Sequence, residues 1–484
     1  MRDFTRRMMP LACLLAGGIA GTALANELTG PSSSQSPFVV RSMKGVTTTA
    51  ILTVGDSVND KPGQPGVPYR MVGIPDGLGA YDNGDGTFTV LMNHELSATS
   101  GVVRAHGAAG AFVSKWTIRK GSLEVLHGED LIQQTWVWDV VDEEYDAMPT
   151  ALNRLCAADL PARGAFYDAE SGLGYDGRIF MNGEESGSEG RGFGHVVETG
   201  DSYEVPHLGK FSWENSVAHP GAGARTVVVG LDDSGNGQVY VYVGTKTAAG
   251  LPVDRAGLTN GRLWGVRVAG LLSESDASVV ADGTAFSLYS LGDVSAMTGV
   301  ALEAASVGNV TGFQRPEDGA WDPMNPDDFY FVTTASFSGK SRLWRLRFDD
   351  AANPALGGTI DMLLAGDEGQ KMMDNLCVTN DGSVLIQEDP GSQPYLARIW
   401  RYDIDSDTLT EVARHDPARF EPGAPPPATF LTQDEESSGI LDAQDILGEG
   451  KFLIDVQVHR TLGGELVQDG QLLELTVPKG KKGN

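Results

Sequence analysis

A short turn of Gly, Asp or Asn recurs along the chain, each time followed by a strand-like run. Four of these runs stop at an acid or another metal-binding group. Asp82-Asn83-Gly84-Asp85-Gly86 leads into TFTVLM and stops at Asn93-His94-Glu95, while Asp176-Gly177 leads into RIFM and stops at Glu184-Glu185. Asp381-Gly382 leads into SVLI and stops at Glu388-Asp389, and Gly448-Glu449-Gly450 leads into KFLIDVQV and stops at His459. SGNGQVYVYVG and MNPDDFYFVTT have the turn and the strand but a neutral end. Six such units predict an all-β fold, a six-bladed β-propeller with long loop and short-helix insertions. If the strand ends point the same way, their acids meet at the central channel.

Repeat folds grow by adding units, so 484 residues are compatible with one large propeller, expected over 38–478. The 62 glycines punctuate runs of Val, Thr, Tyr and Phe, which favours strands. The SDASVV stretch and LTQDEESSGILDAQDIL are the places where short helices are expected. With 36 Lys and Arg against 65 Asp and Glu, the net charge of −29 argues against a nucleic-acid partner, because backbone binding needs basic clusters. It suits a protein that binds cations.

Residues 1–25 read as an export signal. Arg2, Arg6 and Arg7 precede the apolar run MMPLACLLAGGIAGTALA, and Ala23-Leu24-Ala25 offers a small-residue cleavage site. The run is too short and glycine-rich for a stable membrane anchor. The expected location is periplasmic or secreted, and Thr5-Arg6-Arg7 is a partial match to the twin-arginine route. Residues 26–37 are expected to be a flexible lead-in with no strand pattern, 421–430 a proline-rich excursion between blades, and 479–484 a solvated basic tail. The chain is expected to act as a monomer.

Several familiar chemistries are excluded: there is no G-x-S-x-G elbow, no H-E-x-x-H helix and no phosphate-binding G-x-x-x-x-G-K-[ST] loop. Asp232-Asp233-Ser234-Gly235-Asn236-Gly237 resembles half of an EF-hand loop, but Val243 sits where the bidentate glutamate belongs, so a hairpin turn is expected. Cys156 and Cys377 are the cysteines left after the signal. They form a disulfide in an oxidising compartment, or one of them is a metal-bound thiolate.

What remains is a set of acids in distinctive local settings: Glu95, the Glu184-Glu185 pair, Glu198, Glu214, Glu317, Asp374 and Glu436. Hard cations such as calcium take several carboxylate oxygens, which a propeller channel can collect from separate blades; a cysteine sulfur widens the choice toward a transition metal. Any one of these acids alone is as well explained as a turn cap. Arg315, followed by Pro316 and Glu317, either forms a surface ion pair or directs a planar fork of donors at a phosphate beside a cation.

Taken in order, LMNHE at 91–95, the Cys156 segment, Glu184-Glu185, FGHVVE, KFSWEN, RPEDGAWDP, DNLCVTNDGSVLIQED and EESSGILD with its downstream LIDVQVH resemble the PhoX-type alkaline phosphatases, an exported bacterial family. The resemblance runs through nearly all of the mature chain. It implies a propeller with calcium and iron at its axis that hydrolyses small phosphate esters, monoesters and sometimes diesters. Carried over by position, Cys156 would be an iron ligand, Glu317 a cluster carboxylate, and Glu214, Asp374 and Glu436 further metal ligands, with Glu185, Glu198 and Asp389 beside them. Asn93 and Arg315 would hold the phosphate. The chain departs from the family at Trp213-Glu214-Asn215, where His-Glu-Gly is common, and in AADLPARGAFYDAESGLGYDGRIFMNGEE after the cysteine. A calcium-dependent propeller lactonase or esterase, and a non-catalytic cation-binding envelope propeller, are the alternatives.

Overall fold

The computed structural model describes residues 27–424 and 429–479. The expected signal peptide, part of the proline-rich segment and the tail after Lys479 lie outside the described residues.

Six antiparallel blades surround an axis. From the axis outward, blade 1 runs Pro75–Asp82, Thr87–His94, Phe112–Arg119 and Val125–Asp130. Blade 2 runs Leu155–Asp159, Ile179–Glu184, Gly192–Val196 and Asp201–Glu204, extended by Gln134–Asp139 and Glu144–Ala147. Blade 3 begins with Trp213–Ala218, Arg225–Asp232, Val239–Thr245 and Arg262–Val268. Blade 4 holds Pro316–Trp321, Asp328–Thr333, Arg342–Phe348 and Gly358–Leu364, and Thr284–Gly292 joins blades 3 and 4 into one sheet. Blade 5 holds Met373–Val378, Ser383–Glu388, Arg398–Asp403 and Thr408–His415. Glu435–Asp442, Lys451–Gly463 and Val467–Thr476 begin blade 6. The six innermost strands neighbour one another in a closed ring.

The ring is closed by chain from before blade 1. Thr47–Thr53 pairs antiparallel with Val467–Thr476 as the next strand of blade 6, and Val39–Arg41 adds an outer strand to blade 5. The expected unstructured lead-in is corrected here, because Glu27–Thr29 pairs in parallel with Thr48–Ala50. Its amides find partners in the sheet rather than in water.

Strand formation follows the residue types. VVVGLD and VYVYVGT place β-branched and aromatic side chains on pleated surfaces buried on both faces, where neighbouring blades pack. Helices are few and short, and one of the two expected stretches holds one while the SDASVV stretch does not. Gly299–Ser306 is a helix whose Thr298 hydroxyl accepts the Ala301 amide, and within LTQDEESSGILDAQDIL only Gln444–Leu447 is helical. EESSGILD is instead the innermost strand of blade 6, where a Cβ on Gly439 would lie 2.8 Å from the Leu78 side chain of blade 1. No helix among the described residues is long and apolar enough to cross a membrane.

Every innermost strand carries one extra residue at the same height. Pro75 pairs with His94 and Leu78 with Met92, so three steps on one strand oppose two on the other. The same shift occurs after Leu155, Trp213, Pro316, Met373 and Ser437. Such a bulge re-aims the side chains beside it. Its second residue also stitches blades together: Asp318 accepts the Asn215 side-chain amide at 2.6 Å and the Leu376 backbone amide at 3.1 Å, linking blades 3, 4 and 5.

Gly77 occupies that second position in blade 1, and a Cβ there would lie 2.4 Å from the Ala158 backbone nitrogen of blade 2. Gly77→Ala should therefore wedge the ring and cost about 1–3 kcal/mol, as other overpacked interiors do. A melting temperature equal to wild type would show that the innermost strands do not pack this tightly.

Candidate metal centre

The bulge decides which side chains meet. Its first residue is Asp76 in blade 1, Cys156 in blade 2, Glu214 in blade 3, Glu317 in blade 4, Asp374 in blade 5 and Ser438 in blade 6. In blades 1 to 5 the residue just past the paired end of the second strand stands beside it, Glu95, Glu185, Asp233, Thr334 and Asp389, and in blade 6 the equivalent residue, Gln457, is still paired, with Glu436. In five blades that residue's amide donates to the carbonyl two positions before the bulge, from Glu95 to Ile74, Glu185 to Arg154, Asp233 to Ser212, Thr334 to Arg315 and Asp389 to Met372, at 2.8–3.0 Å. Ile74, Arg154, Arg315 and Met372 all have positive φ, between 41° and 60°. Such a conformation costs on the order of 1–3 kcal/mol for a non-glycine residue and persists only where its surroundings hold it. In blade 6 the ladder continues two pairs higher, through Glu436–Gln457 and Glu435–Val458, which adds Glu436 and brings His459 just past its end.

These groups touch across blade boundaries. Asp76, Glu95 and Cys156 have ligand atoms within 4.8 Å of one another, as do Cys156, Glu185 and Glu214, and likewise Glu214, Glu317 and Asp374. Shared members link the three groups into one arc over five blades. The Cys156 thiol lies 3.6 Å from an Asp76 oxygen, and Gln457 donates to Asp76 at 2.8 Å and to Glu95 at 3.0 Å. Cations cap the open side. Arg154 donates to Glu95 at 2.6 Å and to Glu185; Arg315 grips Asp233 with two bonds of 2.7 and 2.8 Å and reaches Glu317 at 3.0 Å; His459 lies 3.3 Å from Glu436.

The charge does not balance on protein alone. Nine carboxylates, from Asp76, Glu95, Glu185, Glu214, Asp233, Glu317, Asp374, Asp389 and Glu436, face Arg154, Arg315 and His459. Burial first, and neighbouring carboxylates second, hold Asp76, Glu214, Glu317 and Asp374 well above the usual carboxylate range. The same two causes push the Cys156 thiol up, and Asp389 to about 7. Burial alone would lower His459, but the hydrogen bond and charge of Glu436 raise it to about 10, so it is a cation. One Glu214 oxygen is buried with no hydrogen-bond partner. An orphaned carboxylate oxygen among like charges is what a bound cation would satisfy. Oxygen donors around the arc fit a hard cation such as calcium; the lone sulfur with Asp76, Glu185 and Glu214 fits a transition metal.

Among the expected residues, Cys156, Glu185, Glu214, Glu317, Asp374, Asp389, Glu436 and Arg315 all come together at this end of the axis. Two expectations are corrected. Asn93 has no exposed surface; its amide nitrogen donates to the Cys156 carbonyl at 2.6 Å and its oxygen accepts from Asn182 at 2.9 Å. It braces the cysteine strand instead of facing a ligand. Glu198 lies past the outer end of Gly192–Val196, where it accepts the Arg178 amide at 3.1 Å and the Tyr175 hydroxyl at 3.3 Å, away from the arc. Cys156 and Cys377 are both free, since Cys377 stands three residues beyond the Asp374 bulge.

Sequence reasoning missed Asp76, Arg154, Asp233 and Gln457. SGNGQVYVYVG is the third strand of blade 3, and the true second strand, Arg225–Asp232, ends in acids like its counterparts. Aligning the turn before Arg225 would have found Asp233. The expected hairpin turn at 232–237 is present, with the Gly237 amide bonded to the Ser234 carbonyl.

No family model matches the sequence, and no curated protein matches it. Among solved structures, Pseudomonas fluorescens PhoX in complex with vanadate, a transition state analogue, is similar at a TM-score of 0.62 and 11% identity over 92% of this chain and 97% of that one. A protein of unknown function from Dyadobacter fermentans DSM 18053 is similar at a TM-score of 0.38 and 8% identity over 90% of this chain and all of that one. The first likeness establishes a shared propeller fold.

Removing cations should expose the repulsion. In the metal-free folded protein Asp389 keeps its proton up to about pH 7, well above the range of an unfolded aspartate. The folded state then binds more protons, so its stability is present at low pH and is lost as pH rises through 7. Chelated protein should melt lower at pH 8 than at pH 6, and adding calcium should erase most of that difference. Identical melting with and without chelator would mean that the arc holds no cation.

Proposed function

We propose that the protein is an exported, metal-dependent phosphohydrolase that cleaves small phosphate monoesters, with diesters as a second class, at the axial acid arc. The observation that carries this reading is the Arg315 guanidinium. It is tied to Asp233 and Glu317 through Nε and Nη2, while Nη1 has no partner among the described residues. A cation-binding arc beneath a half-open guanidinium suits a tetrahedral anion, and it exceeds what a carboxylic ester requires. The fold shared with PhoX, a protein solved in complex with vanadate, supports the same reading.

Asp76, Glu95, Glu185, Glu214, Glu317, Asp374, Asp389 and Glu436 would hold calcium, with iron beside Cys156. Bound there, such cations supply positive charge to phosphoryl oxygens and lower the pKa of water. The chain's own residues do the rest. Arg315 orients the phosphoryl group and offsets the charge that develops on its oxygens as the leaving group departs. Asp233 holds one edge of the guanidinium through Nε and Nη2, so little side-chain freedom is lost when substrate arrives. Asn93 and Gln457 fix the cysteine strand and the Asp76–Glu95 pair from behind.

Arg315→Lys keeps the charge and loses the fork, so aryl phosphate turnover should fall about a hundredfold to a thousandfold. Glu317→Gln should lower the metal content measured by elemental analysis. Hydrolysis of an aryl phosphate and an aryl carboxylate would be followed side by side in wild type and both variants. Cleavage of the carboxylate alone, or full phosphate turnover in Arg315→Lys, would defeat the reading in favour of an esterase.

A further inference from the structure

The structure assigns Arg154 as a second phosphoryl-binding arm, paired with Arg315 across the acid arc; this rests on the phosphohydrolase reading above. The two arginines occupy the same position in their blades. Each stands two residues before the bulge, Arg154 ahead of Cys156 and Arg315 ahead of Glu317, and each has left-handed backbone, with φ of 51° and 60°. Each carbonyl accepts the amide that follows its blade's second strand, from Glu185 at 2.8 Å and from Thr334 at 3.0 Å. Blades 2 and 4 are thus built alike at this height, with blade 3 between them.

The side chains repeat the match. Arg154 straddles Glu95 of blade 1 and Glu185 of its own blade, just as Arg315 straddles Asp233 of blade 3 and Glu317 of its own. Both use Nε and Nη2, and neither Nη1 has a partner among the described residues. Their side chains are 47% and 34% exposed, so both forks reach solvent on the open side of the arc. A guanidinium serving only to neutralise buried Glu95 would gain most by being buried with it. Asn93, the other residue expected to hold phosphate, is sealed behind Cys156. Arg154 fills that role because two terminal phosphoryl oxygens can then each accept from a separate arginine.

The test uses metal-loaded protein with inorganic phosphate as the probe. Arg154→Lys should weaken phosphate inhibition at least about tenfold and lower kcat/KM for an aryl phosphate about a hundredfold, with metal content unchanged. Millimolar guanidinium should restore part of the activity to Arg154→Ala. Phosphate inhibition and turnover in Arg154→Lys equal to wild type would overturn the inference while leaving Arg315 and the phosphatase reading intact. Loss of metal in parallel with activity would also overturn it, because Arg154 would then only support Glu95 and Glu185. Wild type that neither binds phosphate nor cleaves its esters would bring down the reading beneath it.

Discussion

The site depends on one inserted residue per blade. A regular ladder would keep each innermost strand in register with its partner and its side chains in strict alternation. The bulge breaks that alternation at a single height, and it does so in all six blades. Asp76, Cys156, Glu214, Glu317 and Asp374 thereby reach the axis together. The result is a concentration of like charge that the folded chain tolerates only with protons or metal cations among it. Strain at Ile74, Arg154, Arg315 and Met372 belongs to the same device, since the left-handed residue turns each strand into its bulge.

The propeller was legible because its turn-and-strand unit is local. A glycine-rich turn followed by alternating β-branched residues carries its own signal, so strand runs such as TFTVLM and SVLIQE were found correctly. Strand order within a blade is non-local: SGNGQVYVYVG repeats the local unit but is the third strand of its blade, whereas the acid run that reaches Asp233 closes the second strand, Arg225–Asp232. The closing strand Thr47–Thr53 pairs with residues more than four hundred positions away, which no local pattern reports. Arg154 and Asp76 were invisible for a related reason. Neither stands at the end of a strand run, and only the bulge register reveals that they share a height with Arg315 and Glu317.

The misplaced residues have an equally physical explanation. Asn93 belongs to LMNHE, a segment whose polar letters suggest exposure, but strand pairing from 87 to 94 points it between blades 1 and 2, where a buried amide needs partners and finds them in Cys156 and Asn182. Glu198 follows a strand running the opposite way to those that end at the arc, so it emerges at the other end of its blade. Sequence gives the presence of an acid at a strand end; topology gives which end.

Blade 6 is assembled from both sides of the chain: its inner three strands lie between 435 and 476, and its next strand is Thr47–Thr53. During synthesis, blades 1 to 5 can emerge and pack while the seam beside Asp76 is still missing Glu436, Gln457 and His459. The gathering of acids is therefore finished last, after the most distant segments have found each other. A nascent or truncated chain presents carboxylates along an open edge, where each is hydrated and attracts metal weakly. Any cation that the arc holds would meet its full set of ligands only once the seam has closed, so binding would be coupled to closure of the circle.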